Sequence, residues 1–402
     1  MTEYTDSNTH SKSQIQYYDY LIVGTGLSGA VLAERLATIN NNKILIIDKR
    51  DHIAGNCYDY IDENDILINK YGAHIFHTNS ERVWKYVNTF AKWERWDHKV
   101  LSYIEDKYVP IPVNINTVNI LCNENIATET EMNKWLLENQ ITFNNPITNS
   151  EDIAKSRVGE ILFNKLFRPY TIKQWNKEPF ELDKLVLARI PVRNNWDDRY
   201  FNDKYQALPQ KGYTNFVSSL LNHPNITVLL NTDFFNIKKS TSYKWKTIIY
   251  TGQIDNYFNK DDNGTVIESS KTLEYRSINF EVINIKNMNY WQPVSVVNYP
   301  ELNLPFTRIV EYKHFLNQKS PHTTIVKEIT CDYGEPYYPV PTEKNISIYE
   351  EYRKKAEQET YNKNVHFIGR LANYKYFNMD QAIENALLYY DQHFTVQNTF
   401  KK

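Results

Sequence analysis

A glycine-rich turn between a predicted strand and a predicted helix constrains this chain more than any other feature. The apolar run at 20–23 leads into Gly24-Thr-Gly26-Leu-Ser-Gly29, and apolar residues at helical spacing follow at 30–37. A second apolar run at 43–47 ends in Asp48. This order of strand, turn, helix, strand and acid predicts a βαβ unit of the kind that binds a dinucleotide.

Each glycine of the turn has a separate role in this interpretation. Gly24 allows the tight turn, Gly26 lets backbone N–H groups approach a pyrophosphate, and Gly29 lets the helix pack close to the sheet. The N-terminus of the helix then presents its partial positive charge to the phosphates. Asp48 follows about 20 residues later, where a carboxylate binds a ribose hydroxyl. A plain glycine turn without a ligand is the alternative.

Composition excludes several classes of protein. Among 402 residues, 46 Lys and Arg face 48 Asp and Glu, and this net charge of −2 argues against binding nucleic acid by phosphate neutralisation. No apolar run approaches the roughly 20 residues that span a bilayer. The three cysteines form neither a CxxC pair nor a disulfide framework, which favours a reducing, cytoplasmic location. The polar segment 1–16 lacks a signal-peptide pattern and is predicted to be a disordered tail.

The rest of the chain divides into a helical part and a part with strand patterns. Helical spacing dominates from 116 to 184, whereas short alternating runs from 273 to 340 predict an antiparallel sheet. The polar stretch at 255–270, rich in Asn and Asp, is predicted to be an exposed excursion. Near the C-terminus, a predicted strand at 365–369 precedes a predicted helix at 379–390.

The C-terminal strand and helix favour FAD over NAD as the dinucleotide. In many two-part FAD proteins the chain returns to the nucleotide domain, and a strand ending in Gly feeds a helix that points at the flavin. The segment 365–390 has that form. The small-residue loop at 52–56 also follows the Asp48 strand where a flavoprotein brings its chain against the cofactor. A simple NAD dehydrogenase needs neither feature.

Ordered motifs along most of the chain resemble UDP-galactopyranose mutase of the bacterial type. They are YGAHIFHT at 71–78, YTIKQW at 170–175, RIPVR at 189–193, DRYF at 198–201, LPQKGY at 208–213, IYTG at 249–252, LEYRS at 273–277, FTRI at 306–309, EPYYP at 335–339, GRL at 369–371 and YKY at 374–376. Their common order from about 18 to 393 makes chance similarity a poor explanation.

The resemblance implies an α/β (α+β multi-domain) fold with three parts. A discontinuous Rossmann-like FAD-binding domain is predicted over 17–97, 205–255 and 341–395. A helical domain with a mobile lid is predicted over 113–188. An antiparallel β-sheet domain is predicted over 98–112, 189–204 and 256–340.

For function, the resemblance implies interconversion of UDP-galactopyranose and UDP-galactofuranose by ring contraction, with no net redox change. The family requires reduced FAD, whose N5 atom forms a covalent adduct with the sugar while UDP leaves and returns. The resemblance further implies a homodimer, an unidentified flavin reductant and a place in galactofuranose biosynthesis for cell wall or surface polysaccharides. No metal, nucleic acid or membrane span is expected.

The resemblance also implies roles for individual residues. Arg189 and Arg308 clamp the departing diphosphate, because a guanidinium matches its oxygens bidentately. His74, near the flavin N5, completes the predicted catalytic set. Tyr170 lies along the uridine, and Trp175 belongs to the lid. The other predicted substrate-binding residues are His98, Tyr200, Tyr338, Tyr376 and Asn378. The predicted cofactor-binding residues are Gly24, Gly26, Leu27, Ser28, Gly29, Asp48, Lys49, Gly55, Asn56, His74, Arg370 and Met379.

Plainer interpretations stand beside these roles. They are surface ion pairs for the arginines, core packing for Trp175, a solvated surface position for His98 and half-buried packing for tyrosines such as Tyr337. A metal site at His74 and His77 is disfavoured because the segment reads as a loop and no third ligand is placed to complete it.

Two positions depart from the family pattern. The loop that usually reads Gly-Gly-Asn is Ala54-Gly55-Asn56 here, and its methyl is tolerated if the backbone angle at Ala54 is ordinary. Asn378 stands where Asp is usual, which keeps hydrogen-bonding capacity but removes the charge. Activity is still predicted. A flavin-dependent oxidoreductase of the amine-oxidase type and a non-catalytic UDP-sugar-binding homologue stay open as alternatives.

Overall fold

The computed structural model describes residues 15–261, 264–267 and 271–395. Its strands are Gln16–Val23 (β1), Ile44–Ile47 (β2), Asp59–Ile61 (β3), Leu67–Asn69 (β4), Phe76–Thr78 (β5), Trp93–Arg95 (β6), Val100–Ile104 (β7), Lys107–Ile111 (β8), Tyr205–Pro209 (β9), Ile226–Leu229 (β10), Tyr243–Tyr250 (β11), Tyr275–Ile285 (β12), Val296–Asn298 (β13), Arg308–Glu311 (β14), Thr323–Cys331 (β15), Tyr338–Pro339 (β16) and Val365–Phe367 (β17).

The helices lie between these strands along the chain or after the last of them. They are Leu27–Thr38 (α1), Glu81–Asn88 (α2), Ile115–Cys122 (α3), Glu129–Asn139 (α4), Ser150–Leu162 (α5), Arg168–Trp175 (α6), Leu185–Ala188 (α7), Gly212–Leu221 (α8), Phe234–Ile237 (α9), Ile254–Phe258 (α10), Glu343–Lys363 (α11) and Met379–His393 (α12). Helices α3 to α7 follow one another without an intervening strand. The predicted tail over 1–14 lies outside the described residues, and Gln16, its predicted last residue, already belongs to β1.

A five-stranded parallel sheet in the order β10-β2-β1-β11-β17 carries the predicted βαβ unit. All of β2 is buried, as expected for a parallel strand covered on both faces. Side chains alternate between the two faces: Ile22 and Ile46 pack in a core with α1, α8 and α12, whereas Leu21 and Ile47 pack in a core with α9 and α11. The carboxyl ends of these strands share one edge, where open α/β sheets bind ligands.

A seven-stranded sheet forms a second layer, in the order β16-β12-β15-β14-β13-β7-β8. Neighbouring strands are antiparallel, as the alternating runs predict, except that β13 runs parallel to β7 with Val296 opposite Val100. One hydrophobic core joins this sheet to helices α3, α4, α5 and α7 and includes Val100, Trp135, Phe163 and Tyr312. The helical segment therefore packs on the seven-stranded sheet.

Apart from Gln16, the strands of the two sheets fall inside the ranges predicted for each domain. The rest of β1 and all of β2, β10, β11 and β17 lie within the predicted FAD-binding ranges, and the seven-stranded sheet lies within the predicted sheet-domain ranges. The domain boundaries themselves stay predictions.

The stretch predicted to be an exposed excursion begins instead with the buried helix α10. Asp255 is 6% exposed, and its carboxylate accepts hydrogen bonds from the Leu273 N–H and the Tyr275 hydroxyl, each at 3.1 Å. Asn259 is also buried and accepts a hydrogen bond from the Tyr352 hydroxyl at 2.7 Å. Polar residues are buried here because later parts of the chain satisfy them.

Candidate active site

A first cavity of about 250 Å³ lies at the carboxyl edge of the parallel sheet. Its walls come from the residues that follow β1, β2, β11 and β17, together with the loop after Ala54. Every predicted cofactor-binding residue lines it, from Gly24 in the turn to Met379 at the start of α12.

The glycine turn forms the floor of the first cavity. Gly24 has φ +104°, and a Cβ on Gly29 would stand 2.0 Å from the Gly24 carbonyl oxygen, so no side chain fits there. Helix α1 begins after Gly26 without a side-chain cap. Its first N–H groups therefore remain available for an anion, as in dinucleotide-binding turns.

The loop at Ala54 closes over this turn. A Cβ on Gly55 would stand 2.9 Å from the Cα of Gly26, so the two backbones meet with no side chain between them. Ala54 has φ 73°, in the left-handed region, and is fully buried. The condition under which the methyl is tolerated, an ordinary backbone angle, is therefore not met, and this residue carries about 1–2 kcal/mol of strain that Gly would avoid.

Asp48 at the end of β2 is held in place by the turn itself. One carboxylate oxygen accepts hydrogen bonds from the Thr25 N–H at 2.9 Å and the Thr25 hydroxyl at 2.7 Å, and the other accepts from the Arg50 N–H at 3.1 Å. Arg50 also lines the cavity, donates to Asn56 at 3.0 Å and lies 4.2 Å over the Tyr71 ring. The sequence reasoning missed Arg50.

A second cavity of about 480 Å³ adjoins the first. Both cavities are lined by Asn56, His74, Arg370 and Met379, which form their junction. Every predicted substrate-binding residue lines the second cavity. Strand β14, helix α6 and the segments before β9 and α12 bring these residues together from distant parts of the chain.

Two predicted arginines reach the second cavity in different settings. The Nε of Arg308 donates to Glu328 at 2.6 Å, and the Glu328 side chain is 1% exposed. Burial alone would lower the pKa of Arg308, but Glu328 outweighs it and raises that pKa well above its usual range. Arg189 lies 4.5 Å over the ring of Tyr376. Both guanidinium groups are therefore fixed in direction while remaining charged.

The tyrosines around the arginines differ in acidity. Burial raises the pKa of Tyr170 to about 12 and also raises that of Tyr338. At Tyr376, burial is outweighed by the charges of Arg189 and the neighbouring arginines, which lower its pKa below the usual range. Tyr376 is thus the strongest hydrogen-bond donor of the group.

Trp175 ends helix α6 and is 6% exposed. Its ring centroid lies 6.2 Å from those of both Tyr338 and Tyr376. It lines the cavity as predicted, and it also packs with Leu182 and Val340, so the packing interpretation holds as well. Whether α6 moves as a lid stays a prediction.

The two predicted histidines are neutral. Burial, followed by the charge of Arg370, lowers the pKa of His74 to about 4, and its Nδ1 bonds to the Gly72 carbonyl at 2.7 Å. His98 is 4% exposed, and burial and Arg308 lower its pKa to about 3. The interpretation of His98 as a solvated surface residue is therefore wrong.

Several lining residues were missed by the sequence reasoning. They are polar groups to which the sequence reasoning gave no substrate or cofactor role. His77, Thr171, Gln174, Asp203, Asn298 and Asp380 line the second cavity, and Arg50 and Glu335 line the first. Their placement depends on strand pairing and loop packing, for which the chain gives no local signal. In the described part of the chain, no group of three or more His, Cys, Asp or Glu could hold a metal ion.

Comparison with known proteins decides the family. Residues 165–376, more than half of the chain, match the family described as UDP-galactopyranose mutase, and residues 22–90 match an NAD(P)-binding Rossmann-like domain. A probable UDP-galactopyranose mutase of Klebsiella pneumoniae is 34% identical over 372 residues, which are 91% of this chain and 92% of that protein.

The chain belongs to the UDP-galactopyranose mutase family.

A mutase named for another nucleotide sugar and a solved structure are also similar to this chain. A dTDP-fucopyranose mutase of Escherichia coli is 37% identical over 376 residues, covering 91% of this chain and 96% of that protein. A crystal structure of reduced UDP-galactopyranose mutase matches with a TM-score of 0.73 at 17% identity, covering 96% of this chain and 98% of that one, which shows a common fold.

Family membership confirms the predicted resemblance, the α/β fold class and the Rossmann-like domain. It makes the chain a mutase, which is an isomerase, and implies a flavin cofactor. Among the described residues, no helix combines the length and apolar character needed to cross a membrane.

Proposed function

We propose that this protein interconverts UDP-galactopyranose and UDP-galactofuranose, with reduced FAD in the first cavity and the nucleotide sugar in the second. The observation that carries the proposal is the junction of the cavities at His74 and Arg370, with Arg189 and Arg308 on the walls of the second. A substrate whose diphosphate is held by these arginines has its sugar at the junction.

The first cavity fits a dinucleotide. An added Cβ on Gly55 would enter the gap beside Gly26, so the cradle depends on the missing side chains. The uncapped N–H groups of α1 suit a pyrophosphate, and Asp48 at the end of β2 suits a ribose hydroxyl. Gly369, with φ +110°, lets the C-terminal segment approach Ser28 and bring Arg370 and Met379 to the junction. These residues would hold FAD.

When bound, reduced FAD supplies the nucleophile that opens the route to ring contraction. The protein binds the diphosphate through Arg189 and Arg308, and Tyr376 donates a further hydrogen bond to it. Because Glu328 fixes the Nε edge of Arg308, the remaining N–H groups of that side chain are free to face the substrate. The positive charge of the arginines stabilises the diphosphate as it separates from the sugar.

Helix α6 closes one side of the second cavity. Lys173 Nζ donates to the Tyr299 carbonyl at 2.6 Å, and Arg276 Nε donates to the Gln174 carbonyl at 3.1 Å. These bonds hold Trp175 against Tyr338, which supports a lid that excludes water from the sugar. His74 at the junction is neutral, so it adds no positive charge beside the sugar.

A second candidate is the interconversion of the pyranose and furanose forms of dTDP-fucose. The observation that favours it is the 37% identity to a dTDP-fucopyranose mutase, against 34% to a probable UDP-galactopyranose mutase. Both substrates carry a diphosphate and a hexose, so the two arginines serve either one. They differ in the nucleobase, the ribose and the sugar C6.

One experiment separates these functions. The purified protein is incubated with UDP-galactofuranose and, separately, with dTDP-fucopyranose, with and without dithionite, and the products are resolved by chromatography. Conversion of the UDP-sugar only with dithionite supports the proposal, and conversion of the dTDP-sugar alone supports the second candidate. Conversion regardless of flavin state rejects both. Tight nucleotide binding without conversion supports a non-catalytic homologue, and flavin reduction by an amine supports an oxidoreductase.

We also infer the setting of the enzyme from the family and the cysteines. Cys57, Cys122 and Cys331 are unpaired, which supports a reducing compartment such as the cytoplasm. A homodimer, a separate flavin reductant and a role in making surface polysaccharide follow from the family resemblance. Size-exclusion chromatography with light scattering tests the dimer.

A further inference from the structure

The part of the second cavity beside the junction carries a cluster of polar groups that the proposed function does not use. It consists of His77, Asp203 and Asp380, all of which line the cavity. His77 stands three positions after His74, and Asp380 follows Met379 at the start of α12. Because His74 and Met379 belong to the junction, this cluster lies on the sugar side of the cavity and not on the nucleobase side.

The imidazole ring of His77 is held by a hydrogen bond at its edge and by stacking on its face. Its Nδ1 donates to the Asp203 carboxylate at 2.9 Å, and its ring stacks on Phe201 with centroids 3.7 Å apart and planes inclined by 14°. Asp203 is held in turn by the Asn79 amide, which donates to it at 2.7 Å. These contacts set the tautomer and leave Nε2 as the nitrogen available to a ligand.

Asp380 is the unsatisfied member of the cluster. Its Oδ1 is buried, and no group in the described part of the chain gives it a hydrogen bond. Burial raises the pKa of the Asp380 carboxyl, whereas the charge of His77 and hydrogen bonds to the carboxyl from the Thr78 side chain and the Gln381 backbone lower it. A buried oxygen without a partner costs stability, and where such an oxygen lines a cavity a ligand can supply the missing bond.

We propose that Asp380, beside the His77–Asp203 pair, binds a hydroxyl group of the hexose and so determines the position of the sugar at the junction. The inference rests on the proposed function, because it takes the diphosphate to lie between Arg189 and Arg308. The proposed sugar-binding carboxyl lies two residues after Asn378, whose own side chain is an amide. A hydroxyl is the matching chemistry, since it both donates to and accepts from a carboxyl group.

The test compares UDP with UDP-galactopyranose, which differ by the sugar and by the additional ionisable oxygen on the terminal phosphate of UDP. Binding of each to the flavin-loaded full chain is measured by isothermal titration calorimetry for the wild type, Asp380→Ala, Asp380→Asn and Asp391→Asn. Asp391 lies at the other end of α12 in an exposed pair with Arg82, so it controls for the loss of a carboxylate from the same helix.

We expect Asp380→Ala to weaken UDP-galactopyranose binding about tenfold and to leave UDP binding within about twofold. Asp380→Asn, which keeps a hydrogen-bonding group, should recover most of the affinity for the sugar nucleotide, and Asp391→Asn should match the wild type. An equal loss for both ligands in Asp380→Ala, or no loss for either, overturns the inference. Failure of the wild type to bind either ligand would instead reject the proposed function, and the inference with it.

Discussion

The buried ion pair beneath the second cavity supports a quantitative prediction. Glu328 is 1% exposed, and its Oε2 accepts the Nε–H of Arg308 at 2.6 Å. Its Oε1 has no hydrogen-bond partner among the described residues. Arg308 is therefore the main partner of this carboxylate, and Glu328→Ala leaves a positive charge under the cavity without compensation.

The expected cost follows from the burial of the two partners. Removing one side of a fully buried pair costs roughly 3–5 kcal/mol. Because the Arg308 side chain is 26% exposed through the cavity, water screens part of its charge, and about 2–3 kcal/mol of unfolding free energy should be lost. Glu328→Gln keeps the shape and an acceptor and should cost about 1 kcal/mol. UDP brings negative charge to Arg308, so it should stabilise Glu328→Ala more than it stabilises the wild type.

Urea denaturation with and without saturating UDP measures these differences. The matched control is Glu281→Ala, which breaks an ion pair with Lys327 on the same sheet at 3.3 Å. The Glu281 side chain is 48% exposed and the Lys327 side chain is 28% exposed. That exposed pair should change stability by no more than about 0.5 kcal/mol. If Glu328→Ala behaves like Glu281→Ala, or if UDP stabilises Glu328→Ala no more than the wild type, the argument from buried charge is wrong.

Three further predictions concern acid stability, the cofactor and the diphosphate. The unfolded chain protonates His98 near pH 6.5 but the folded protein does so only near pH 3, so stability falls as the pH drops through this window. Between pH 6.5 and 5, His98→Asn should lose about 2 kcal/mol less unfolding free energy than the wild type, measured by denaturation at both pH values. In Gly55→Ala the new Cβ would stand 2.9 Å from Gly26, so this variant should retain roughly tenfold less flavin after dialysis, measured by absorbance at the flavin band. Ala54→Gly should retain the flavin fully. Equal retention in the two variants would contradict the role of this loop in holding the cofactor. Arg189→Ala should lower kcat/KM by about 100-fold or more, with the exposed Arg168→Ala near wild type, and similar rates in the two variants would remove Arg189 from the site.

Local pattern was enough to predict the nucleotide-binding unit. The strand, glycine turn and helix lie in consecutive residues, and each element is stabilised by its own sequence, from the apolar run of β2 to the missing side chain at Gly29. The start of β1 could not be predicted from the local sequence. It begins at Gln16 because that residue pairs with Tyr243 of β11, which is far away in the chain.

Burial of polar residues marks the limit of such reasoning. Asp255 and Asn259 lie in a stretch whose composition favours exposure, yet Leu273, Tyr275 and Tyr352 supply the hydrogen bonds that make their burial possible. Composition describes a residue alone, whereas burial depends on partners that only the fold brings near. The same limit applies to His98, which is neutral because later segments enclose it.

Family resemblance predicted residues that line the cavities but not the residues that pack behind them. It placed Arg308 in the second cavity, but the motif around Arg308 says nothing of Glu328 on the neighbouring strand β15. It also noted Ala54 without its backbone angle, which depends on how the loop meets Gly26. Matching motifs carry over residue types, while charge balance and strain depend on the packing of each chain.

Charge balance gives a physical reason why Asn378 is compatible with a mutase. The second cavity is lined by three arginines, Arg189, Arg308 and Arg370, and by two carboxyl groups, of which Asp203 is paired with His77. A carboxylate at position 378 would lie in the same wall and oppose the diphosphate, whereas an amide adds no negative charge to the cavity. Asn also begins a helix as well as Asp does, so α12 keeps its start. Asn in place of Asp at position 378 therefore removes a negative charge from the cavity that binds the negatively charged diphosphate, while the carboxyl of Asp380 remains on the sugar side.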